Sequence, residues 1–475
     1  MSVAFQDGQS AATGAVDIIT CNPHVAIDQF YDYSGDVANG NMLVPHTIET
    51  EEKYAERKKF SCNVNYLAPV IDSVIRPIFD ASIKRSCDNE MVKLFWNNVD
   101  CRGSSMDSFM RRSGEEVRKH STYFIIMDNF PEDEQPKTEA DALANRVMPY
   151  VYKKKPQDVA DYGLDARGAI QYVTFYNGTH KVGDKSYPKF CKIDKDYFTA
   201  YYVSVSDKRE KTIVIIDEVP HPLGRLPITV MRDKLPEDGE LCAHPRAYNL
   251  MRISHSLYNK DSEMRESERK EQFSMLAIEM VDGTVPAHIA VGTSNTMYYG
   301  KGAKTPAFVE PSPGILAGLL ATKQSLRDDF FMVAGQSGVT GVQTAKSGTA
   351  MAFEFMGKES SIREYADICE VADRAITQMF CDWIDAADDF VIEYPDSYTP
   401  ADDAAQYKWA DIVLMNRESL PASVVSDATM LIASKLRPSM TDEDAADMAE
   451  EIRLFADGES KISVDLTDEE AIDAE

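Results

Sequence analysis

The residues best suited to do chemistry lie past the middle of the chain, in Thr340-Gly-Val-Gln-Thr-Ala-Lys346-Ser347. A Lys followed by a hydroxyl residue is how a phosphate-binding loop ends. The ammonium reaches the outer phosphates and the hydroxyl ligates magnesium. That chemistry also needs glycine at the first and sixth positions, so that backbone N–H groups can wrap the phosphates. Here those positions hold Thr340 and Ala345. A buried strand should precede such a loop, and the pattern before this one is an amphipathic helix. The spacing Gly335, Gly338, Gly341 does not make a dinucleotide fingerprint either. The stretch is therefore read as a polar, small-residue loop. The alternative is a soluble multidomain nucleotide-handling enzyme using a degenerate phosphate loop at 340–347.

Other chemistry is sparse. The eight histidines form no His-Glu-x-x-His and no close pair, and no Gly-x-Ser-x-Gly elbow occurs. Acidic pairs such as Asp388-Asp389 and Asp402-Asp403 are expected by chance in a chain with 78 acids. The eight cysteines, at 21, 62, 87, 101, 191, 242, 369 and 381, are scattered without zinc spacing and read as thiols of a reducing compartment. Met297-Tyr-Tyr299 suits an interface better than a base-stacking platform. No catalytic residue, metal or cofactor is expected.

At 475 residues the chain should form two to four domains, and 44% hydrophobic with 27% charged residues is ordinary for a folded protein. No run of 18 apolar residues exists, so no membrane span is expected, and the start Met1-Ser-Val-Ala-Phe lacks the pattern of a secretory signal. A net charge of -28 disfavours gripping nucleic acid, since phosphate contacts need Lys and Arg. The same charge would suit the wall of a ring around DNA, which should repel phosphates.

The elements that must position the loop are two helices. One runs from about Ile315 to Val333, with Leu316, Leu319, Leu320, Leu326 and Phe330 along a face. The other runs from about Thr349 to Ala387, with Ile362, Ala366, Cys369, Ile376, Phe380, Trp383 and Ile384 at helical spacing. Residues 1–50 read as an arm or loosely packed start. Glu51–Ala81 is helical in two pieces, with Pro69 and Pro77 as kinks or boundaries. Ser105–His120 is an amphipathic helix leading into the strand Tyr123–Met127. Thr138–Arg146 is a short helix and Tyr150–Tyr152 another strand. A period of two from about Ala169 to Asp217 predicts an antiparallel meander. His244-Pro245 opens a long helix whose charged middle, Lys260 to Gln272, would bury poorly in a monomer. Phe390–Pro395 is a strand. Ala404–Met415, Pro421–Leu436 and Thr441–Phe455 are helices, the last with a Thr441/Asp444 capping box. Residues 457–475 hold eight acids and one Lys and read as a disordered tail. The fold class is α+β, mainly helical.

The order of these elements resembles the portal proteins of tailed bacteriophages, over roughly residues 55 to 455. Tyr66-Leu-Ala-Pro-Val-Ile-Asp-Ser-Val-Ile-Arg-Pro77 looks like the early wing helix of such chains, and Asn97-Asn-Val-Asp-Cys-Arg-Gly103 continues it. Pro149-Tyr-Val-Tyr152, Pro156-Gln-Asp-Val159, the meander and Gly224-Arg-Leu-Pro-Ile-Thr-Val230 resemble the rest of the wing. Leu257-Tyr-Asn-Lys-Asp-Ser262 lies in what looks like the first stem helix. Ser347-Gly-Thr-Ala350 is similar to the segment after the tunnel loop.

The resemblance implies an architecture of wing, stem, clip and crown assembled as a dodecameric ring. It gives an N-terminal arm at 1–50, a wing at 51–243, stem helices at 244–274 and 313–334, and a clip at 275–312. A tunnel loop follows at 335–350, then a long wing helix and strand at 351–395, a helical crown at 396–456 and the acidic tail at 457–475. The implied function is at one capsid vertex, conducting double-stranded DNA during packaging and ejection, with no enzymatic activity of its own. Implied partners are further copies of the chain, double-stranded DNA without sequence preference, the terminase large subunit, the major capsid or scaffolding protein and a head–tail adaptor, with no membrane. The implied location is the virion, and the host cytoplasm during assembly. The loop residues expected to touch DNA are Gln336, Ser337, Thr340, Gln343, Thr344, Lys346 and Ser347. The clip docking surface would be Met297, Tyr298, Tyr299, Lys301 and Lys304.

Overall fold

In the computed structural model the described residues are 21–47, 49–130, 147–205, 211–271, 275–277, 307–309, 313–336, 348–395 and 398, with scattered positions between 412 and 452. The first element departs from the expected loose arm. Helix α1, Pro23–Asp32, is capped by the Asn22 side chain, which accepts from the His24 amide, and buries Ala26, Ile27 and Phe30 completely. A short turn, α2 at Gly35–Ala38, follows. The many turn formers here are what hid a core element from periodicity. Helix α3, Glu51–Phe60, has acids in its first turn and Arg57, Lys58 and Lys59 in its last, which suits the helix dipole. Helix α4, Leu67–Asp80, buries Leu67, Val70, Ile71, Val74, Ile75 and Ile78. Pro69 and Pro77 both lie inside it rather than at its ends. Pro69 sits in the first turn, where an N–H has no intrahelical partner anyway. Pro77 costs one backbone bond, near the far end.

Strand β1, Lys84–Ser86, is followed by helices α5, Glu90–Asn97, and α6, Met106–His120. Strand β2, Thr122–Asp128, is buried on both faces, and its alternation feeds two cores. Tyr123, Ile125 and Met127 join the large cluster built on α4, α5 and α6, while Phe124 and Ile126 join Val173, Phe175, Ile193 and Phe198. Strand β2 is the centre of a three-stranded antiparallel sheet, between β3, Tyr150–Lys154, and β9, Ile228–Arg232. The predicted meander is a five-stranded antiparallel sheet in sequential order: β4, Val159–Leu164; β5, Ile170–Val182; β6, Lys185–Ile193; β7, Tyr197–Val205; and β8, Lys211–Pro220. The predicted helix Thr138–Arg146 lies outside the described residues.

Helix α7, Tyr248–Glu271, leads to β10, Met275–Ala277, which pairs antiparallel with β11, Ala307–Val309. Helix α8, Pro313–Val333, returns along α7, and α9, Gly348–Ile384, is the longest element at 37 residues. Only the start of the charged middle of α7 buries within one chain, while Arg265, Glu268 and Arg269 stay exposed. Asp261 is 5% and Ser262 2% exposed, and Asp261 pairs with Lys323 of α8 at 2.6 Å. Helix α9 buries Ile362, Tyr365, Ala366, Cys369, Ile376 and Phe380 against α4, α5 and α6. Gly114 of α6 is the close-approach point, because a Cβ there would lie 3.3 Å from both Cys369 Sγ and an Ile75 methyl. Strand β12, Val391–Glu393, pairs with β1, with Arg85 opposite Ile392.

The chain divides into two units, Met1–Tyr398 and Thr399–Glu475. The described positions of the second are helical and fall within the three stretches expected as helices. The Thr441/Asp444 box and the acidic tail lie outside the described residues. All eight cysteines are free thiols, and among the described residues no helix is long and apolar enough to cross a membrane.

Candidate functional site

The loop read from sequence is rooted at both ends by helices. At its start, α8 closes in a left-handed turn. Gly335 has φ 71°, its amide bonds the Met332 carbonyl, and the Gln336 amide bonds the Phe331 carbonyl. The Gln336 side chain then donates from Nε2 to Ser73 Oγ of α4 at 2.7 Å. Gln336, expected to touch DNA, thus has its amide engaged within the chain. At the far end α9 begins at Gly348. Ser337, Thr340, Gln343, Thr344, Lys346 and Ser347 lie outside the described residues, as do Met297, Tyr298, Tyr299, Lys301 and Lys304. The strands β10 and β11 flank the latter group.

The densest set of chemical groups among the described residues was not found by sequence reasoning. Asp28 of α1, Glu116, Lys119 and His120 of α6, and Lys155 and Gln157 after β3 converge in one place. Lys119 Nζ lies 3.1 Å from Asp28 Oδ1 and 2.8 Å from Glu116 Oε1. Lys155 Nζ lies 2.7 Å from Asp28 Oδ2 and 3.1 Å from Glu116 Oε2. His120, fully buried, places Nε2 at 3.0 Å from Asp28, and its Nδ1 lies 3.1 Å from His24 Nδ1, so one ring donates and the other accepts. Gln157 donates to Asp28 at 3.2 Å. Lys119 also sits 4.4 Å over the Tyr31 ring.

Burial pushes the carboxyls up, but the cations win. The His120 bond, Lys119 and Lys155 hold Asp28 well below the usual carboxylate range and bring Glu116 down to about 2. Burial, with His120 beside it, lowers His24 to about 3, so the ring is neutral at pH 7.

Asp28, Glu116 and His120 offer ligand atoms within 4.8 Å of one another, the spacing a divalent ion needs. A cation there would have to displace two ammonium groups that already balance the two carboxylates. The arrangement works instead as a polar cross-link joining α1 to α6 and the segment after β3. Of its members, only Glu116, Lys119 and His120 were legible together, as neighbours at helical spacing.

A second charged anchor holds α9. Arg85 of β1 contacts Asp107 at 2.6 Å and the fully buried Asp373 at 2.7 Å, and the Tyr394 hydroxyl donates to Asp373 at 3.2 Å. Both clusters fasten elements that lie far apart in the chain. No known protein family matches this chain, and no curated protein sequence matches it.

Proposed function

We propose that this chain is the subunit of a ring that conducts double-stranded DNA through a phage capsid vertex, a portal protein. One observation carries the reading. A 24-residue helix, a strand pair spanning 275–309, an antiparallel 21-residue helix and, after residues 334–347, a 37-residue helix follow one another, after a sheet-rich first half. That is the order of stem, clip, stem, tunnel loop and wing helix to which the sequence was likened.

On this reading the part between β10 and β11, with Met297 to Lys304, docks the terminase during packaging and the adaptor afterwards. The loop 337–347 brushes the DNA without sequence preference, Lys346 touching phosphate and the hydroxyls and amides sliding past it. The net charge of -28 per copy repels the polymer and keeps it moving. ATP hydrolysis belongs to the terminase.

Electron microscopy of the purified chain tests the reading. Rings with rotational symmetry and a central channel are expected, and a monomer at all concentrations overturns it. Deleting 337–346 should leave rings intact and impair DNA packaging or retention. ATP binding that is lost on Lys346→Ala would favour the nucleotide-handling alternative.

A further inference from the structure

Two of the edge strands among the described residues, β8 and β9, carry complementary chemistry. Strand β8 is the outer strand of the five-stranded sheet. Long apolar edge strands are normally blunted by charge, proline or cover. This one has Ile213 63%, Ile215 60%, Ile216 37% and Val219 40% exposed. An extra residue at Ile216 breaks the β7 register, since Ala200 faces Asp217 and Tyr201 faces Ile215. The bulge sets Ile216 apart from the strict alternation, beside Ile213 and Ile215.

Strand β9 is the outer strand of the three-stranded sheet. Beside it runs a groove of about 530 Å³, walled by Ile228–Arg232 on one side and by Ile368, Val371, Ala375 and Met379 of α9 on the other. Val371 is 69% exposed. Two polar atoms of the β9 wall, Thr229 Oγ1 and Arg232 Nε, lack a hydrogen-bond partner among the described residues. Arg225 at the groove is already paired with Asp382, and Asp367 lies nearby, but Arg232 has no carboxylate partner among the described residues, whereas β8 carries Asp217 and Glu218 near its end.

We infer that the occupant of the β9–α9 groove is strand β8 of a second copy of this chain, added edge to edge. Ile213 and Ile215 would cover Val371 and Ile368, and Asp217 or Glu218 would meet Arg232. Main-chain bonds supply affinity in such strand addition, and the alternating side chains supply register. Because donor and acceptor are different surfaces of one chain, the contact is head to tail and makes a ring if it closes. The inference rests on the ring reading for closure and names the contact that builds it.

The test uses Ile215→Lys, which spoils the donor strand, and Val371→Lys, which spoils the groove, in the full chain. Both sites are exposed, and matching urea unfolding curves will establish that both variants fold. Each should raise the concentration needed for assembly at least tenfold in sedimentation velocity, and Ile213→Lys should behave like Ile215→Lys. At a concentration where each variant alone is monomeric, a 1:1 mixture should give heterodimers. One partner still has its strand, the other its groove, and the pair cannot propagate. A mixture that stays monomeric overturns the inference, as does either variant assembling as the wild type does. If the wild type forms rings in those cases, the ring reading survives without this contact. A wild type that never assembles removes both.

Discussion

Helices α7 and α8 run side by side, yet they reverse what their sequences advertise. Helix α7 looks polar, with charges from Lys260 onward, and lies against α1, α3, α4 and α8. It buries Met251, Ser254, Leu257, Tyr258, Asp261 and Ser262. Helix α8 looks apolar, yet only Phe330 of its described side chains is fully buried. Leu320 is 49%, Met332 63% and Val333 47% exposed. The difference teaches that burial in this chain follows available partners rather than hydropathy. Most polar groups of α7 that go inside meet a partner: Tyr258 donates to the Val37 carbonyl, His255 Nε2 bonds the Met42 carbonyl, Asp261 has Lys323, and the Ser262 hydroxyl accepts from Arg57, whereas the buried Ser254 hydroxyl has none among the described residues. The apolar side chains of α8 have few elements around them among the described residues.

The strongest way to break the comparison is Phe330→Ala. This ring sits wholly inside the cluster with Tyr66, Leu250 and Tyr258, and its loss should cost about 3–5 kcal/mol in urea unfolding. A cost near that of a surface change would mean that α8 is not anchored there.

Acid tests whether buried charge is tolerated through its partners. His24 falls from 6.5 unfolded to about 3 folded, so its contribution is lost as pH drops from about 6.5. Glu116 falls from 4.5 to about 2, so its contribution is complete above pH 4.5 and lost on the way to pH 2. The Glu116 shift alone corresponds to something on the order of 3 kcal/mol. Urea midpoints should fall in those two windows. Glu116→Gln should be less stable at pH 7 and flatter below pH 4.5, and His24→Phe should flatten the upper window. The groups facing His24 are His120, Asp28, His244 and Lys155, and a His120 variant should move the upper window as well.

Removing one partner inside α7 should cost less. Asp261→Ala leaves Lys323, which is 28% exposed and keeps some water, so a loss of about 1–2 kcal/mol is expected. Pairing it with Lys323→Met should recover part of that loss. The smallest effect on folding belongs to α8. Leu320→Lys should change unfolding by less than about 0.5 kcal/mol while lowering the assembled fraction in sedimentation. A large folding cost would show that the exposed face of α8 is needed by the single chain.

Much of the fold was legible because long periodic segments carry their own signal. The helices at 51–80, 106–120, 248–271, 313–333 and 348–384 and the meander strands lie close to where spacing puts them. Helix α1 was missed because it is ten residues long and sits among Asn, Gly and Asp turn formers, where its three buried side chains make too short a pattern. The apolar face of α8 was legible but its exposure was not, since hydropathy says what wants cover and not whether cover exists. The cross-link of Asp28, Glu116, His120 and Lys155 was invisible for a different reason. Its parts come from three elements, with Asp28 92 residues from His120 and 127 from Lys155, and only the packing of the chain brings them together. Of the loop that opened the sequence reading, the legible parts were its two helical flanks. The tie from Gln336 to Ser73 depends on where α4 passes.

Strand β1 pairs with β12 across roughly three hundred residues, and Arg85 beside it reaches Asp373. Closing so long a loop carries a chain-entropy cost that no local contact offsets. During synthesis the first half, sheets included, leaves the ribosome long before Val391 exists. The large core that α9 completes must therefore wait for the last fifth of the chain. Until then, α4, α5 and α6 expose the face that Phe380 and Ile376 later cover. Newly made chains thus pass through a sticky interval set by translation speed. A chain cut short before β12 should be a client for chaperones rather than a smaller version of the same fold.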